Sequence, residues 1–177
     1  MDKSALRSIA LKHRRSLTLE ENRAKSQLIV QQAYEVVKDC HCIALYASLN
    51  DEVFTFDFIE RLIMEGKEIL LPKTRKEGLT FHLVTSLDEL EEGNFHVLEP
   101  TKEERAIQLA QVVFVPLGGF DEYNHRIGYG KGYYDRALRR YRGLKVGLAF
   151  DCQKVERIPV EELDIPLDRI ITESGTY

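Results

Sequence analysis

The segment "VVFVPLGGFDEYNHRIGYGKGYYDRALRRYRGLKVGLAF", residues 112–150, holds two apolar runs with a glycine-rich loop between them. The runs "VVFVP" at 112–116 and "KVGLAF" at 145–150 are typical of buried strands, and "GYYDRALRRY" between them predicts a helix. A strand, a helix and a second strand in this order are the repeating unit of an α/β protein with a mostly parallel sheet.

The same alternation continues toward the N-terminus. A first helix is predicted from Lys3 to about Arg15, and the capping box "TLEE" at 18–21 predicts the start of a second. "CIALYAS", from about Cys42, predicts a strand. "FDFIERLIMEG" predicts a helix that ends at Gly66, and "EILLP" a strand that ends at Pro72.

The remaining segments complete the predicted sheet. "LTFHLV" is typical of a strand, "SLDE" at 86–89 has the pattern of a second capping box, and a last short strand includes Ile170 and Ile171. No linker or repeat divides the chain. We therefore predict one α/β domain over residues 1–177, with a mostly parallel sheet and helices on both faces in a Rossmann-like three-layer arrangement.

Composition limits the class of protein. The 177 residues are 44% hydrophobic and 31% charged, as in a globular protein, and no apolar run reaches the roughly 18 residues of a membrane helix. The N-terminus is basic enough to suggest a transit peptide, but its apolar residues fit an integral first helix better. We expect a cytoplasmic monomer, and a net charge of −4 argues against broad nucleic-acid binding.

The chain has three cysteines, Cys40, Cys42 and Cys152, and this odd number favours reduced thiols over a disulfide framework. "CHC" at 40–42 resembles part of a zinc site. Structural zinc sites have four ligands at recognisable spacing, and no second Cys/His pair lies near, so we expect no zinc there.

The glycine loop has two interpretations. Gly128, Gly130 and Gly132 would let backbone amides approach an anion closely, and Lys131 adds a positive charge, so the loop favours phosphate binding. The alternative is a tight turn that caps the following helix. The loop has neither the G-K-[ST] ending of a P-loop nor the position of a dinucleotide-binding loop directly after its strand.

Asp135 has a similar ambiguity. A first-turn aspartate commonly complements the helix dipole, but it could also hold Mg²⁺ beside phosphates, because that ion takes one or two carboxylates plus phosphate oxygens. The neighbouring Tyr133 and Tyr134 could be core residues or stacking surfaces, and the core is the more common place for them.

The stretch "VPLGGFDEYNHRIGYGKGYYDRAL" closely resembles the signature of the 5-formyltetrahydrofolate cyclo-ligase family. "KSALR" at 3–7, "LNDEVFT" at 49–55, "LPKTR" at 71–75 and "LEP" at 98–100 also match that family in its order. The resemblance therefore covers nearly the whole chain. Ile127 and Asn124 replace the family's frequent leucine and glycine, and both are mild changes, since asparagine tolerates left-handed backbone.

The resemblance implies ATP- and Mg²⁺-dependent conversion of 5-formyltetrahydrofolate to 5,10-methenyltetrahydrofolate. The formyl oxygen is phosphorylated, a neighbouring nitrogen attacks the activated carbon, and phosphate leaves. Such a reaction needs aligned reactants and neutralised phosphate charge, which the glycine loop with Lys131 and Arg126 would supply.

By the same resemblance, the catalytic residues are Lys131 and Arg126, and the metal ligands are Asp135 and Asp164. The ATP-binding residues are Lys3, Ser4, Ala5, Leu6, Arg7, Arg126, Ile127, Gly128, Tyr129, Gly130, Lys131, Gly132, Tyr133 and Tyr134. The substrate-binding residues are Ala47, Glu52, Tyr129, Gly130, Lys131, Gly132 and Tyr133.

Without the resemblance, ordinary alternatives would be preferred at several of these positions. Lys3 and Arg7 would form a solvated helix face, Asp51 and Glu52 a solvated turn, and Asp164 a loop residue beside Pro166. Two other functions compete with the ligase: an α/β enzyme acting on a phosphorylated metabolite without ATP, and a non-catalytic nucleotide- or RNA-binding relative.

Overall fold

The fold is described by a computed structural model that covers every residue from Met1 to Tyr177. It has four α-helices and twelve strands, with short 3-10 turns between some of them. The helices are α1 (Lys3–Arg15), α2 (Leu19–Val37), α3 (Phe56–Met64) and α4 (Tyr133–Leu138). None of the helices has an apolar stretch long enough to span a bilayer.

Eight strands form the central sheet, and two hairpins lie beside it. The strands are β1 (Cys42–Ala44), β2 (Glu68–Arg75), β3 (Gly78–Val84), β4 (Glu91–Glu92), β5 (Leu98–Glu99), β6 (Glu104–Arg105), β7 (Val112–Pro116), β8 (Gly119–Phe120), β9 (Arg126–Ile127), β10 (Leu144–Leu148), β11 (Arg169–Thr172) and β12 (Gly175–Thr176). The hairpins pair β4 with β5 and β8 with β9.

The central sheet has the order β12-β11-β10-β7-β1-β2-β3-β6. Its five middle strands, from β11 to β2, are parallel to one another, and β12, β3 and β6 pair antiparallel at the edges. Parallel neighbours need crossover connections, and α3 lies in the one from β1 to β2 while α4 lies in the one from β7 to β10. The predicted mostly parallel α/β sheet is therefore confirmed.

Alternate residues of the buried strands enter two cores on opposite faces of the sheet. Ile43 and Leu45 face a core that includes Ile29 of α2 and Phe58 of α3. Their neighbours Cys42 and Ala44 face a second core, which includes Leu138 of α4 and Tyr141. Both faces are covered by helices, which explains why the strands are continuously apolar rather than alternating.

Helix α1 lies apart from these layers, against the β8–β9 hairpin. Its Leu6 forms a small cluster with Ile127 of β9 and with Ile158. A Cβ atom on Gly119 of β8 would lie only 2.9 Å from the Cβ of Ala10, so a glycine is needed where the helix meets the hairpin.

Most predicted elements are confirmed, including the bounds of α1, the reciprocal capping box at Thr18 and the last strand. The helix before Gly66 is also confirmed, since Gly66 follows α3 with a φ of +82°. "SLDE", however, forms a 3-10 turn: Ser86 accepts from the N–H of Asp88, whereas Glu89 accepts from Thr85.

The prediction that strand β2 ends at Pro72 was wrong, because β2 continues to Arg75. On one side β2 pairs with β1 only as far as Leu70, and on the other side Pro72 pairs with Phe81 of β3. Past Leu70, the edge of β2 that faces β1 has no partner strand. The missing N–H of proline therefore removes no hydrogen bond from that ladder.

Helix α4 is shorter than predicted and ends at Leu138. The chain turns there because Tyr141 enters the core, where its hydroxyl donates to the carbonyl oxygen of Ala110 at 2.7 Å. With only six residues, α4 contributes little dipole to an anion site, so phosphate binding would depend on the loop itself.

Candidate active site

The predicted site residues gather at the carboxyl edge of the parallel strands. Glu52 lies in the loop that follows β1, and the glycine loop, residues 128–132, follows the hairpin attached to β7. Since β1 and β7 are neighbours in the sheet, the two loops emerge side by side. Ligands of open α/β sheets bind at such an edge.

The glycine loop has the backbone conformation for which glycine is needed. Gly130 has a φ of +94° and Gly132 a φ of +68°, and Gly132 is also the residue that precedes α4. Between them Lys131 is exposed, and its carbonyl oxygen accepts from Arg136 at 2.9 Å. The loop therefore presents an exposed cation between two glycines that can turn their amides toward a ligand.

Helix α1 contacts this loop directly. Arg7 donates from Nε to the carbonyl oxygen of Gly128 at 2.7 Å. Its guanidinium also lies next to Gly130, where an added Cβ atom would be 3.8 Å from it. The two remaining nitrogens of Arg7 are thus held beside the glycine loop, where an anion could accept from them.

The rest of the predicted ATP-binding stretch of α1 divides into exposed and buried positions. Lys3 forms ion pairs with Asp164 and, at 3.5 Å, with Glu161. Ser4 and Ala5 are exposed, whereas Leu6 is buried. Leu6 packs against the equally buried Ile127, so these two hold α1 on the hairpin, and only their backbone could contact a ligand.

The two predicted metal ligands lie close together and are both paired with cations. Asp135 Oδ1 is 3.3 Å from Arg126 and accepts from the N–H of Ile165 at 3.2 Å, next to Asp164. Asp164 pairs with Lys3. Hard carboxylate oxygens suit Mg²⁺, but the chain has no group of three or more potential metal ligands. The pair fits an ion held mainly by phosphate oxygens.

Two buried polar atoms near these aspartates have no partner within the protein. They are Arg126 Nε and the hydroxyl of Tyr134, and the guanidinium of Arg126 lies 5.7 Å from the centre of the Tyr134 ring. Burial raises the pKa of Tyr134, so its hydroxyl stays protonated. Buried polar groups are seldom left unpaired, and this pair therefore indicates a site that a polar ligand completes.

Glu52 is buried, only 5% exposed, and is not the solvated turn residue that spacing alone favoured. Its Oε2 accepts from the hydroxyl of Tyr129 at 2.6 Å, and its Oε1 accepts from the N–H of Leu49 at 2.7 Å. Burial raises the pKa of the Glu52 carboxyl, although the hydrogen bonds from Tyr129 and Leu49 oppose that effect. A buried acid with a raised pKa is characteristic of a functional site.

Arg14 lies beside the candidate site, and the sequence did not lead us to expect it there. It is 3% exposed, and it donates to the Tyr129 hydroxyl at 2.8 Å, to Asp51 Oδ2 at 2.9 Å and to the carbonyl oxygen of Leu117 at 3.1 Å. Burial alone would lower the pKa of Arg14, but the nearby Tyr129, Glu52 and Asp51 raise it above the ordinary arginine value.

A signal for Arg14 was present in the sequence. Leu6, Ala10 and Arg14 follow one another at four-residue spacing, which places them on one buried face of α1. An arginine that continues an apolar stripe indicates a buried charge with partners elsewhere in the chain.

The remaining predicted substrate contacts are Ala47 and Tyr133. Ala47 is buried just beyond β1 and can do no more than shape the wall of the site. Tyr133 is half-buried, and the guanidinium of Arg136 lies 5.3 Å from its ring centre. Its ring is therefore at the surface of the loop, where stacking is possible.

Comparison with known proteins gives a consistent result. The sequence model of the 5-formyltetrahydrofolate cyclo-ligase family matches residues 1–173. The 5-formyltetrahydrofolate cyclo-ligase of Escherichia coli K12 is 35% identical over 175 residues, which cover 93% of this chain and 96% of the relative.

Two solved structures are similar over nearly the full length. The NMR structure of Aquifex aeolicus 5,10-methenyltetrahydrofolate synthetase has a TM-score of 0.89 and 34% identity, covering 99% of this chain and 92% of the other. The 5,10-methenyltetrahydrofolate synthetase of Mycoplasma pneumoniae has a TM-score of 0.81 and 28% identity, covering 98% and 99%.

Proposed function

The chain belongs to the 5-formyltetrahydrofolate cyclo-ligase family, and we propose from this membership and from its site how it performs the reaction. The activity is the ring closure of 5-formyltetrahydrofolate to 5,10-methenyltetrahydrofolate, with ATP as co-substrate. ADP and phosphate are the other products.

A formamide oxygen is a poor leaving group, and the proposed first step improves it. The formyl oxygen attacks the γ-phosphorus of ATP, an O–P bond forms, and the bond from that phosphorus to ADP breaks. N10 then attacks the formyl carbon, the C–O bond breaks, and phosphate leaves with the former formyl oxygen while N10 loses its proton. The protein has to align these atoms and neutralise charge.

Lys3, Arg7 and the glycine loop bind the nucleotide in this proposal. The contact between Arg7 and Gly128 supports it, because it holds a guanidinium beside amides that can donate to phosphate. Lys3 would exchange part of its ion pair with Asp164 for a phosphate contact. The guanidinium of Arg7, the ammonium of Lys3 and the backbone N–H groups of the glycine loop would then all bind the same phosphate chain.

Lys131 and Arg126 act on the transferring phosphoryl group. Lys131 is exposed on the glycine loop, so its ammonium can follow the phosphate as charge moves from ADP to the formyl oxygen. The side chain of Arg126 is nearly buried and its Nε is unpaired, so it offers a fixed donor. Preorganised cations of this kind stabilise the transition state more than the ground state.

Asp135 and Asp164 would hold Mg²⁺ together with phosphate oxygens. When bound, this ion neutralises the charge of the phosphate groups. In the free protein Arg126 and Lys3 neutralise the two carboxylates instead. The same four side chains can therefore rearrange around a metal–nucleotide complex without leaving a buried charge unpaired.

Glu52 would bind the pterin. Its ionised carboxylate can accept two adjacent N–H groups of the pyrimidinone edge. One observation carries the whole assignment: the five-residue glycine loop contacts Arg7 through Gly128 and Glu52 through Tyr129. The proposed nucleotide-binding cations and the proposed folate-binding acid thus meet on one short loop, as transfer between two bound substrates requires.

The test is a direct assay with 5-formyltetrahydrofolate, ATP and Mg²⁺, monitored by the absorbance of the methenyl product and by ADP release. Equal rates of the two products are expected, with none when ATP is omitted. ADP release without methenyl product would favour a nucleotide hydrolase, and binding of ATP or RNA without either product would favour a non-catalytic relative. The cytoplasmic location and the monomeric state predicted from the sequence stay predictions.

A further inference from the structure

The hydroxyl of Tyr129 bridges two buried groups of opposite charge. It lies 2.6 Å from Glu52 Oε2 and 2.8 Å from a terminal nitrogen of Arg14. An ionised carboxylate only accepts hydrogen bonds and a guanidinium only donates them, so the hydroxyl donates to Glu52 and accepts from Arg14. Arg14 and Glu52 are thus close enough together to bind one acceptor and one donor that lie side by side, and in this structure the Tyr129 hydroxyl serves as both.

The two partners of Tyr129 are fixed by other contacts. Arg14 is held by Asp51 and by the carbonyl oxygen of Leu117, and Glu52 is held by the N–H of Leu49. Both side chains are at least nine-tenths buried. Their positions are therefore set by the protein before any ligand binds.

Tyr129 itself is held much less firmly. The residue as a whole is 43% exposed, and it lies between Gly128 and Gly130, two glycines that allow the backbone to turn at little cost. Apart from the hydroxyl contacts, its ring interacts with Arg14 at 5.7 Å from the ring centre. Tyr129 can leave the pair while Arg14 and Glu52 stay in place.

We propose that Arg14 and Glu52 form a two-point clamp for the pterin, and that the Tyr129 hydroxyl occupies this clamp in the free protein until folate displaces it. The pyrimidinone edge carries a carbonyl oxygen at C4 next to an N3–H, which is the same acceptor and donor pair. The carbonyl oxygen accepts from Arg14 and the N3–H donates to Glu52. This inference rests on the proposed function of Glu52 and adds Arg14 as a specificity-determining residue.

The clamp predicts opposite effects of two substitutions. Tyr129→Phe keeps the ring but removes the competing hydroxyl, so 5-formyltetrahydrofolate should bind roughly two- to tenfold more tightly, the worth of one hydrogen bond. Arg14→Met removes the donor for the C4 oxygen, so binding should weaken by roughly ten- to a hundredfold. Binding of a non-hydrolysable ATP analogue should change little in either variant.

The test is calorimetric titration of the wild type and both variants with 5-formyltetrahydrofolate and with its 4-amino analogue, in which the C4 oxygen is replaced by an amino donor and N3 no longer carries a hydrogen. The wild type should discriminate against the analogue at both points of the clamp, and Arg14→Met should lose the part of that discrimination that the C4 oxygen provides. A purely structural role of Arg14 would instead weaken both ligands alike, and that result would overturn the proposal. Arg15→Met is the matched control, since Arg15 is exposed and lies 3.5 Å from the same Asp51.

Arg14 has several buried partners, so its loss could prevent folding, and Tyr129→Phe then decides the matter alone. Unchanged or weaker folate binding in a folded Tyr129→Phe protein would overturn the displacement. Failure of the proposed function would look different, because the wild type would then not bind 5-formyltetrahydrofolate at all. Glu52→Gln separates the two cases further: it should weaken folate even if Tyr129 proves to be no competitor.

Discussion

Arg7 Nε donates to the carbonyl oxygen of Gly128 at 2.7 Å, which joins the N-terminal helix to the glycine loop across 121 positions of sequence. The bond uses one nitrogen of the guanidinium and leaves the other two beside Gly130. Arg7 can therefore orient the loop and bind phosphate at the same time through separate nitrogens, whereas a lysine would have to make both contacts from one nitrogen.

Arg7→Lys should weaken ATP binding by roughly tenfold or more, because the charge is kept but the fork that serves both loop and phosphate is lost. Binding of 5-formyltetrahydrofolate should be nearly unchanged. Titration with a non-hydrolysable ATP analogue would measure the first effect. Lys12→Ala, on an exposed position of the same helix, is the control, and an equal loss in that variant would reduce Arg7 to a general surface charge.

Lys131→Ala should reduce turnover by about a hundredfold or more, because a cation that follows the transferring phosphate acts mainly in the transition state. The dissociation constant for 5-formyltetrahydrofolate should change much less than turnover. Single-turnover kinetics would measure the chemical step. Lys76→Ala, at the exposed turn between β2 and β3, should keep full activity, and full activity of Lys131→Ala itself would contradict the assignment.

Asp135→Asn should raise the Mg²⁺ concentration needed for half-maximal turnover, because the ion would lose a charged ligand. The amide keeps an oxygen that can still accept from the N–H of Ile165, so the loop should stay in place. A magnesium titration of initial rates is the measurement. If only the thermal midpoint falls while the titration is unchanged, Asp135 is a structural partner of Arg126 and not a metal ligand.

Glu52→Gln should weaken 5-formyltetrahydrofolate binding by roughly ten- to a hundredfold, since one pterin N–H would face a donor and the charge would be gone. The oxygen of glutamine can accept from only one of the two donors that Glu52 serves, Tyr129 and the N–H of Leu49, so a thermal denaturation curve should establish that the variant is folded. ATP binding should stay nearly the same. Calorimetric titration of each ligand distinguishes this outcome from general damage, which would weaken both.

The pH dependence of stability should also reveal Glu52. Its pKa is raised above the ordinary value of 4.5, chiefly by burial. In the pH range between the ordinary pKa and the raised pKa, the unfolded chain binds fewer protons than the native protein. The contribution of Glu52 to the free energy of unfolding therefore falls as pH rises through this range and is constant at higher pH. Denaturation of wild type and Glu52→Gln over a pH series should show that the free energy of unfolding of the variant increases relative to that of the wild type as pH rises. An increase in the stability of the wild type relative to the variant as pH rises would contradict the raised pKa.

Local sequence determined the elements whose signals are short-range. The bounds of α1 at Lys3–Arg15 and the capping box at Thr18 depend on contacts between residues a few positions apart, and the sequence predicted both. The sequence also identified Gly128, Gly130 and Gly132 as a flexible loop, but it did not indicate that only Gly130 and Gly132 of the three have positive φ. The fold class followed from the alternation of apolar strands and helices.

The tertiary structure decided what depends on strand order. Pro72 lies within β2 because β1 is too short to pair with that part of it, and no local pattern indicates the length of a neighbouring strand. Glu52 and Asp51 look like a solvated turn in sequence, yet the pairing of β1 with β7 brings their loop against the glycine loop.

Arg14 shows the physical reason most directly. Its contact with Tyr129 spans 115 positions and its contact with Leu117 spans 103, and neither residue lies in a pattern that includes Arg14. The four-residue spacing of Leu6, Ala10 and Arg14 determines that the arginine is buried. Which groups then satisfy its charge is a property of packing, because burial of a charge requires partners but does not specify where in the chain they come from.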